Sequence, residues 1–465
     1  MRLSLHRTGL SLLCVGIVTL ATGCDETLTV APVNDVAADV AIVDAISARA
    51  ALVGAYDALH NVSYYGDDYM FLMDLSADGV IHVGTFDTYL EADQNRLTAD
   101  NVTIESMWEV IYDGIHRTNV IIQRVPTVPG LTEAERDRIT GEAHFLRALH
   151  YHNLVRVWGG VPLVTAPPPS INEASQIARS SVDEVYAQIL ADLTAAESLI
   201  ETTDETLRAS RGAVFALRSR VLLYNEDWAG VVAATDSVEN YGYELAESYA
   251  DLFTADDQET DEDILRVAFT PTEFNNAGYY YLIVAGGRYE VAPSVALMCE
   301  YDPTLDCSDL DNVDVTAYAP EDLRGQFNIA LDEENQYGTK YPTAEGGEDL
   351  HIIRFGEVIL NKAEALARLG GANLPLAVDE YNKIRVRAGL PSHVWLVDVT
   401  TQQEVLEAIW RERYLELAFE GDRWPDLVRT GRAATVLGIP PYQALYPIPE
   451  NEIDVAPNIQ QNPGY

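Results

Sequence analysis

The chain has 465 residues, long enough to bury a large core without a disulfide framework, and its hydrophobic and charged fractions, 48% and 22%, are ordinary. Its charge balance is not: 30 Lys and Arg stand against 73 Asp and Glu, a net charge of −43. Such a surface repels phosphate backbones and anionic headgroups, which argues against nucleic-acid binding and electrostatic adhesion to membranes, and it reads as a solubility surface.

The first 24 residues, MRLSLHRTGLSLLCVGIVTLATGC, have the architecture of an export leader. Arg2 and Arg7 form a basic end, and residues 10–21 form an apolar run too short to span a bilayer permanently. The ending Ala21-Thr22-Gly23-Cys24 resembles the lipobox of bacterial lipoproteins. That resemblance predicts a signal peptide at 1–23, lipidation of Cys24 and an anchored linker over 24–45. No other long apolar run follows, so the expected protein is anchored and does not span the membrane. Cys299 and Cys307, eight positions apart in a compartment that permits disulfides, are expected to form a local loop disulfide. A metal site there would need further Cys or His ligands, and none lies nearby.

The body reads mostly as amphipathic helices. Ile104, Met107, Trp108, Ile111, Ile115 and Ile122 form one helical stripe. Phe145, Leu146, Leu149 and Leu154 form another, behind the start signal LTEAERD. Val182, Val185, Tyr186, Ile189, Leu193, Ala196 and Leu199 form a third. Residues 210–238 read as two helices joined at 225–227, and residues 350–390 as two more, broken at Gly370 and Gly371. Helix pairs of this size suggest tetratricopeptide-like units, which must stack to bury their apolar faces. The expected scaffold covers 46–60, 104–241 and 350–431. Two insertions, 61–103 and 242–349, hold the polar, aromatic and Gly-rich material where binding functions usually sit.

Several segments together resemble the SusD/RagB family of nutrient-binding outer-membrane lipoproteins. They include MWEVIYDGIHRTNVII (107–122), GEAHFLRALHYHNLVRVWGGVPLVT (141–165), SSVDEVYAQILADLTAAESLI (180–200) and RGAVFALRSRVLLYNEDWAGVVAATDSV (211–238). LHIIRFGEVILNKAEALARLG (350–370), ERYLELAFEGDRWPDLVRTG (412–431), LYPIPENEI (445–453) and QNPGY (461–465) continue the match in order. The resemblance implies a mainly α fold over 46–465, with about four tetratricopeptide-like helix pairs and a loop-rich mixed ligand-binding subdomain. It also implies a cell-surface protein that captures oligosaccharides and delivers them to a SusC-like TonB-dependent transporter, without catalysis and without a cofactor. Capture of peptides on the same scaffold, a surface glycan hydrolase and a purely structural helical scaffold are the alternatives.

Within 411–431, Glu412, Glu416 and Glu420 fall at i, i+4 and i+8, on one face of a helix that Gly421 can end. The stripe lacks the facing carboxylate that glycoside hydrolysis needs, and no His completes a metal cage. With Arg411, Arg413, Arg423 and Arg429 as local counter-charges and Trp424, Leu427 and Val428 as an anchor, it reads as a structural lock.

Sugars are held by flat aromatic faces and planar polar groups. The chain is rich in Tyr, 25 against 10 Phe. One loop offers Tyr64, Tyr65, Asp67, Asp68, Tyr69, Phe86, Tyr89 and Asn95; the other offers Phe274, Asn275, Asn276, Tyr279, Tyr280, Tyr281, Arg288 and Tyr289. Tyr65, Tyr69, Tyr89, Tyr280, Arg288 and Tyr289 rank first as ligand contacts. The absence of Trp from these loops makes starch a poor candidate. The acidic runs at 255–263 and 306–314 do not match a calcium loop, and His144, His150 and His152 lack the partners of a zinc site. No phosphate loop or nucleophile motif is present.

Overall fold

The computed structural model describes residues 42–465 apart from 169, 202–204, 255–258, 284–285 and 334, so the leader and Cys24 lie outside the described residues. In chain order, α1 (Ala45–Asp57) opens the scaffold, and the first insertion supplies α2 (Asp68–Leu75), β1 (Val80–His82) and α3 (Asp87–Asp93). Then come α4 (Val102–Arg124), α5 (Glu133–Trp158), α6 (Val182–Leu199), α7 (Arg211–Tyr224) and α8 (Trp228–Glu239). The second insertion carries β2 (Asp263–Val267), α9 (Ala277–Tyr281), β3 (Val291–Pro293), α10 (Val295–Tyr301), β4 (Ile329–Asp332) and β5 (Asn335–Gly338). β6 (Leu350–Arg354) leads into α11 (Phe355–Leu369), α12 (Leu374–Arg387), α13 (Gln402–Glu416) and α14 (Arg423–Arg429).

The helices begin where side chains can satisfy free amides. Thr132, Ser181 and Thr401 cap α5, α6 and α13, and Glu135, Glu184 and Glu404 bond back to the cap amides. Gly370 (φ +69°) and Gly371 (φ +59°) end α11 in a conformation that side-chain-bearing residues resist. Successive scaffold helices pack on one another: α1 on α4, α4 on α5, α5 on α6, α6 on α7, α7 on α8, α8 on α11, α11 on α12 and α13. The fold is therefore mainly α with tetratricopeptide-like pairing. The three sequence stripes point inward, except that Val182 is exposed and Ile122 and Leu199 are half-buried. Trp108 of α4 meets Trp158 of α5 edge to face at 5.3 Å, both nearly fully buried. Burial of such side chains contributes about 1.5–3 kcal/mol each.

Short ladders join the insertions to each other and to the scaffold. β1 pairs antiparallel with β3, Val80 opposite Pro293 and His82 opposite Val291, so the two insertions share a sheet. β2 pairs with β6, and β4 with β5. Cys299 and Cys307 are disulfide-bonded, with Cα atoms 6.1 Å apart.

The carboxylate stripe is a buried ion-pair network. Glu412 meets Arg385 Nη1 at 2.5 Å and Arg324 Nη2 at 3.0 Å. Glu416 meets Arg354 Nη1 at 2.5 Å, Arg324 Nη1 at 3.3 Å and Arg387. Glu420 meets Lys340 at 2.6 Å and Arg354 Nη2 at 2.8 Å, and Glu262 meets Arg387 at 2.5 Å and Arg354 at 2.9 Å. Burial alone would raise the Glu416 and Glu420 pKa values. The surrounding cations outweigh it, holding Glu416 far below the usual carboxylate range and Glu420 down at about 2.

This corrects the expected partners of the three glutamates, while Arg413 and Arg429 do pair within the segment, with Asp426. The local arginines serve other acids: Arg411 pairs with Glu300, Arg413 with Asp426, Arg423 with Asp78, and Arg429 with Asp426 and Glu364. α13 also stops at Glu416, before Gly421, and the backbone then turns, with Phe419 at φ +67°. Glu420 still reaches the network from that turn. The cations come from the second insertion (Arg324, Lys340), β6 (Arg354) and α12 (Arg385, Arg387), so the lock clamps the insertion onto the stack.

Candidate functional site: an aromatic face between the insertions

The β1–β3 ladder brings residues 64–90 against residues 274–290. Beside it, the Glu290 carbonyl accepts from Val83 N at 2.9 Å, and the Glu290 carboxylate accepts from Thr85 N at 2.7 Å. Gly84 permits that approach, since a Cβ there would lie 1.8 Å from Glu290 Oε2. Asn276 Nδ2, at the start of α9, donates to Asp67 Oδ2 at 2.7 Å.

Aromatic rings fill the junction in layers. Phe71 of α2 lies at 5.1 Å from Tyr281, 5.6 Å from Tyr280 and 6.0 Å from Tyr89. Phe86 stands edge-on to Tyr89 (5.4 Å) and Tyr280 (5.7 Å), and Tyr279 lies 5.4 Å from Tyr280. Phe86 and Tyr279 are half-buried and form the outer layer. The Arg288 guanidinium stacks on Phe86 at 4.2 Å. Its Nε donates to Glu290 at 2.5 Å and its Nη2 to Thr85 Oγ1 at 3.0 Å. A half-buried aromatic face with fixed hydrogen-bond donors beside Phe86 is the result.

Below it lies a carboxyl pair. The Tyr89 hydroxyl sits 2.6 Å from Asp67 Oδ1 and 3.0 Å from Asp68 Oδ1. Burial raises both pKa values, Asp68 to about 6, and the neighbouring Asp68 charge raises Asp67 further. Both carboxyls converge on one hydroxyl rather than facing each other across a cleft, an arrangement suited to holding Tyr89 and α9 in place.

The six ranked residues divide. Tyr65 (8% exposed) and Tyr69 (2%) point into the scaffold, where Asn153 Nδ2 donates to the Tyr65 hydroxyl at 2.9 Å and Arg156 Nε to the Tyr69 hydroxyl at 2.6 Å. Tyr89 (2%) and Tyr280 (8%) lie under the outer layer. These four are packed as core and support, because each hydroxyl or ring face is already occupied. Arg288 is exposed and Tyr289 half-buried, its hydroxyl donating to the Gln336 carbonyl at 2.8 Å. Phe86, Tyr279, Thr85 and Glu290 are the residues that the ranking passes over. The apolar run YMFLMDL was the available signal that Tyr69 is interior.

Other features stand apart. An apolar cavity of about 420 Å³ is bordered by Trp108, Tyr112, Pro162, Ile177, Glu452 and Ile459, away from the aromatic face. His150 and His152 are buried in the scaffold, and His144 Nδ1 lies 2.7 Å from Asp192. Among the described residues no group of three or more His, Cys, Asp or Glu is placed to hold a metal ion, and no helix is long and apolar enough to cross a membrane.

Comparison with known proteins agrees with this architecture. The SusD-like model described as starch-binding and associating with the outer membrane matches residues 42–223, and the SusD family model matches residues 326–465. SusD-like protein P38 of Formosa agariphila is 27% identical over 98% of this chain and 98% of its own. Starch-binding protein SusD of Bacteroides thetaiotaomicron is 24% identical over 72% of this chain and 74% of its own. A solved SusD superfamily protein from Bacteroides vulgatus superposes with a TM-score of 0.79 at 21% identity, over 91% of this chain and 99% of that one. A laminarin-binding SusD-like protein superposes with a TM-score of 0.75 at 27% identity, over 91% of this chain and 100% of that one. With two models of one family matching either end of the chain, relatives aligned along nearly its whole length and the fold shared throughout, the chain belongs to the SusD/RagB family.

Proposed function

We propose that this protein captures oligosaccharides at the cell surface and passes them to a TonB-dependent outer-membrane transporter. The observation that carries the reading is the aromatic face of Phe86 and Tyr279, edged by Arg288 and Tyr289, on a scaffold shared with proteins named for starch and laminarin binding. Aromatic rings suit the C–H faces of pyranoses, and fixed donors suit their hydroxyls. Tyr280 and Tyr89 set the height of the outer rings, and Tyr65 and Tyr69 tie the layer to α5. Lipidation at Cys24 would anchor the protein to the outer membrane, with the loop face outward. The convergent Asp67–Asp68 pair supports binding over hydrolysis, which uses two carboxyls about 5–9 Å apart across the scissile bond.

The test uses the soluble chain from residue 25 against a panel of polysaccharides and a peptide digest, reading binding and released sugars together. Saturable glycan binding without release is expected. Phe86→Ala and Tyr279→Ala should each weaken it about tenfold, equivalent to about 1.4 kcal/mol, while Tyr112→Ala at the separate cavity should not. Sugar release, or binding to peptides alone, refutes the reading.

A further inference from the structure

The electrostatics of the same face point to a class of glycan. The two insertions, 61–103 and 242–349, carry 33 Asp and Glu but only five Lys and Arg. Three of those five are buried: Arg324 in the lock, Lys340 against Glu420, and Arg266 beside Asp263 and Asp349. Exposed cations on the insertions are Arg96 and Arg288. Arg288 is held in an ion pair with Glu290, whose carboxylate is itself almost wholly buried and fixed by the Thr85 amide. A uronate or sulfate ester approaching a chain of net charge −43 is opposed by its overall like charge, and the guanidinium beside the aromatic rings already has its counter-ion. Recognition of such groups ordinarily relies on an arginine free to form two parallel hydrogen bonds with the anion.

The geometry of Arg288 suits a different task. Glu290 takes its Nε proton and Thr85 one Nη2 proton, and Phe86 supports its plane. The remaining N–H groups project from a rigid, charge-compensated plane at the edge of the rings. Such donors can bond sugar hydroxyls, which carry no charge and are not repelled by the surrounding acids.

We propose that this face selects neutral glycans and rejects uronate- and sulfate-bearing ones, with the Glu290-paired Arg288 serving as a hydroxyl donor and not as an anion receptor. The inference rests on the capture reading above and narrows it.

The soluble chain is titrated with neutral laminarin, xylan and mannan, with anionic alginate, polygalacturonate and carrageenan, and with cationic chitosan oligosaccharide, at low and at physiological salt. Binding to a neutral glycan that varies little with salt is expected, with anionic glycans at least tenfold weaker. Glu290→Gln keeps the acceptor for Thr85 but frees the Arg288 charge. It should raise the ratio of anionic to neutral affinity about fivefold, the reach of one exposed charge pair. Preferential binding of an anionic or cationic glycan overturns the proposal while leaving capture intact. An unchanged ratio in folded Glu290→Gln overturns the role given to Arg288. A folded protein that binds no glycan overturns both readings together.

Discussion

Glu416→Gln is the sharpest test of the buried lock. The side chain is fully buried and faces Arg354, Arg387 and Arg324. Removing one member of a buried ion pair typically costs about 3–5 kcal/mol, because the partner charge stays buried and uncompensated. Here each arginine keeps another acid: Arg354 keeps Glu262 and Glu420, Arg387 keeps Glu262, and Arg324 keeps Asp322 and Glu412. Gln also preserves a hydrogen-bond acceptor. The lower end of the range, about 3 kcal/mol, is therefore expected, a large part of a typical 5–15 kcal/mol total. Urea unfolding followed by tryptophan fluorescence measures it. Asp113→Ala, which breaks the exposed Asp113–Arg117 pair on α4, is the control and should cost a few tenths of a kcal/mol, about the worth of a helix-surface pair. If Glu416→Gln costs no more than that control, the network does not clamp the insertion.

Three further outcomes are expected. His152 is buried between Tyr186 and Tyr224, and burial first, then Arg156 and Arg220, pushes its pKa well below 6.5. The unfolded chain therefore takes up a proton that the fold refuses, and stability falls as pH drops below about 6.5, by up to about 1.4 kcal/mol per unit. Asp68, raised to about 6 by burial, has the opposite sign, gaining stability as pH falls from about 6 toward 3.8. The comparison of wild type with His152→Leu isolates the histidine: the variant should show the shallower acid loss in pH-dependent denaturation, and equal slopes would refute the assignment. Reducing the Cys299–Cys307 bond reopens an eight-residue span and should cost about 2.5 kcal/mol by loop entropy, read as a lower melting temperature with reductant. Gly84→Ala forces the Glu290 carboxylate off the Thr85 amide. It should cost about 1–3 kcal/mol and weaken glycan binding, and a variant with wild-type melting and affinity would show that the close approach is dispensable.

The helices were legible because their signal is local. Ile104, Met107, Trp108 and Ile111 repeat at the helical period, and Thr132 with Glu135 announces a start within four residues. The β1–β3 pairing was not legible: three-residue strands carry no alternation, and Val80 finds Pro293 across more than two hundred positions. The lock was readable as a lock but not in its partners, since helical spacing reports the face of Glu412 and Glu416 but not which distant arginines come to it. At the candidate site, the two loops singled out in the sequence do meet, but the sequence could not say which of their tyrosines are buried. A tyrosine serves equally as a buried ring with a bonded hydroxyl, as Tyr69 does, or as part of an outer layer, as Tyr279 does. Which role it takes depends on whether a group such as Arg156 waits beneath it.

The lock also imposes an order of assembly. A chain made N-terminus first can stack α4 through α8 from contacts already in hand. Glu262, Arg324, Lys340, Arg354, Arg385 and Arg387 then wait for Glu412, Glu416 and Glu420, the last charges of the network to be synthesised. A chain released before α13 would leave Arg324 and Lys340 without Glu412, Glu416 and Glu420, so the second insertion would rest on the β1–β3 and β2–β6 ladders without those ion pairs. The clamp on the second insertion thus closes only after the far end of the polypeptide has arrived.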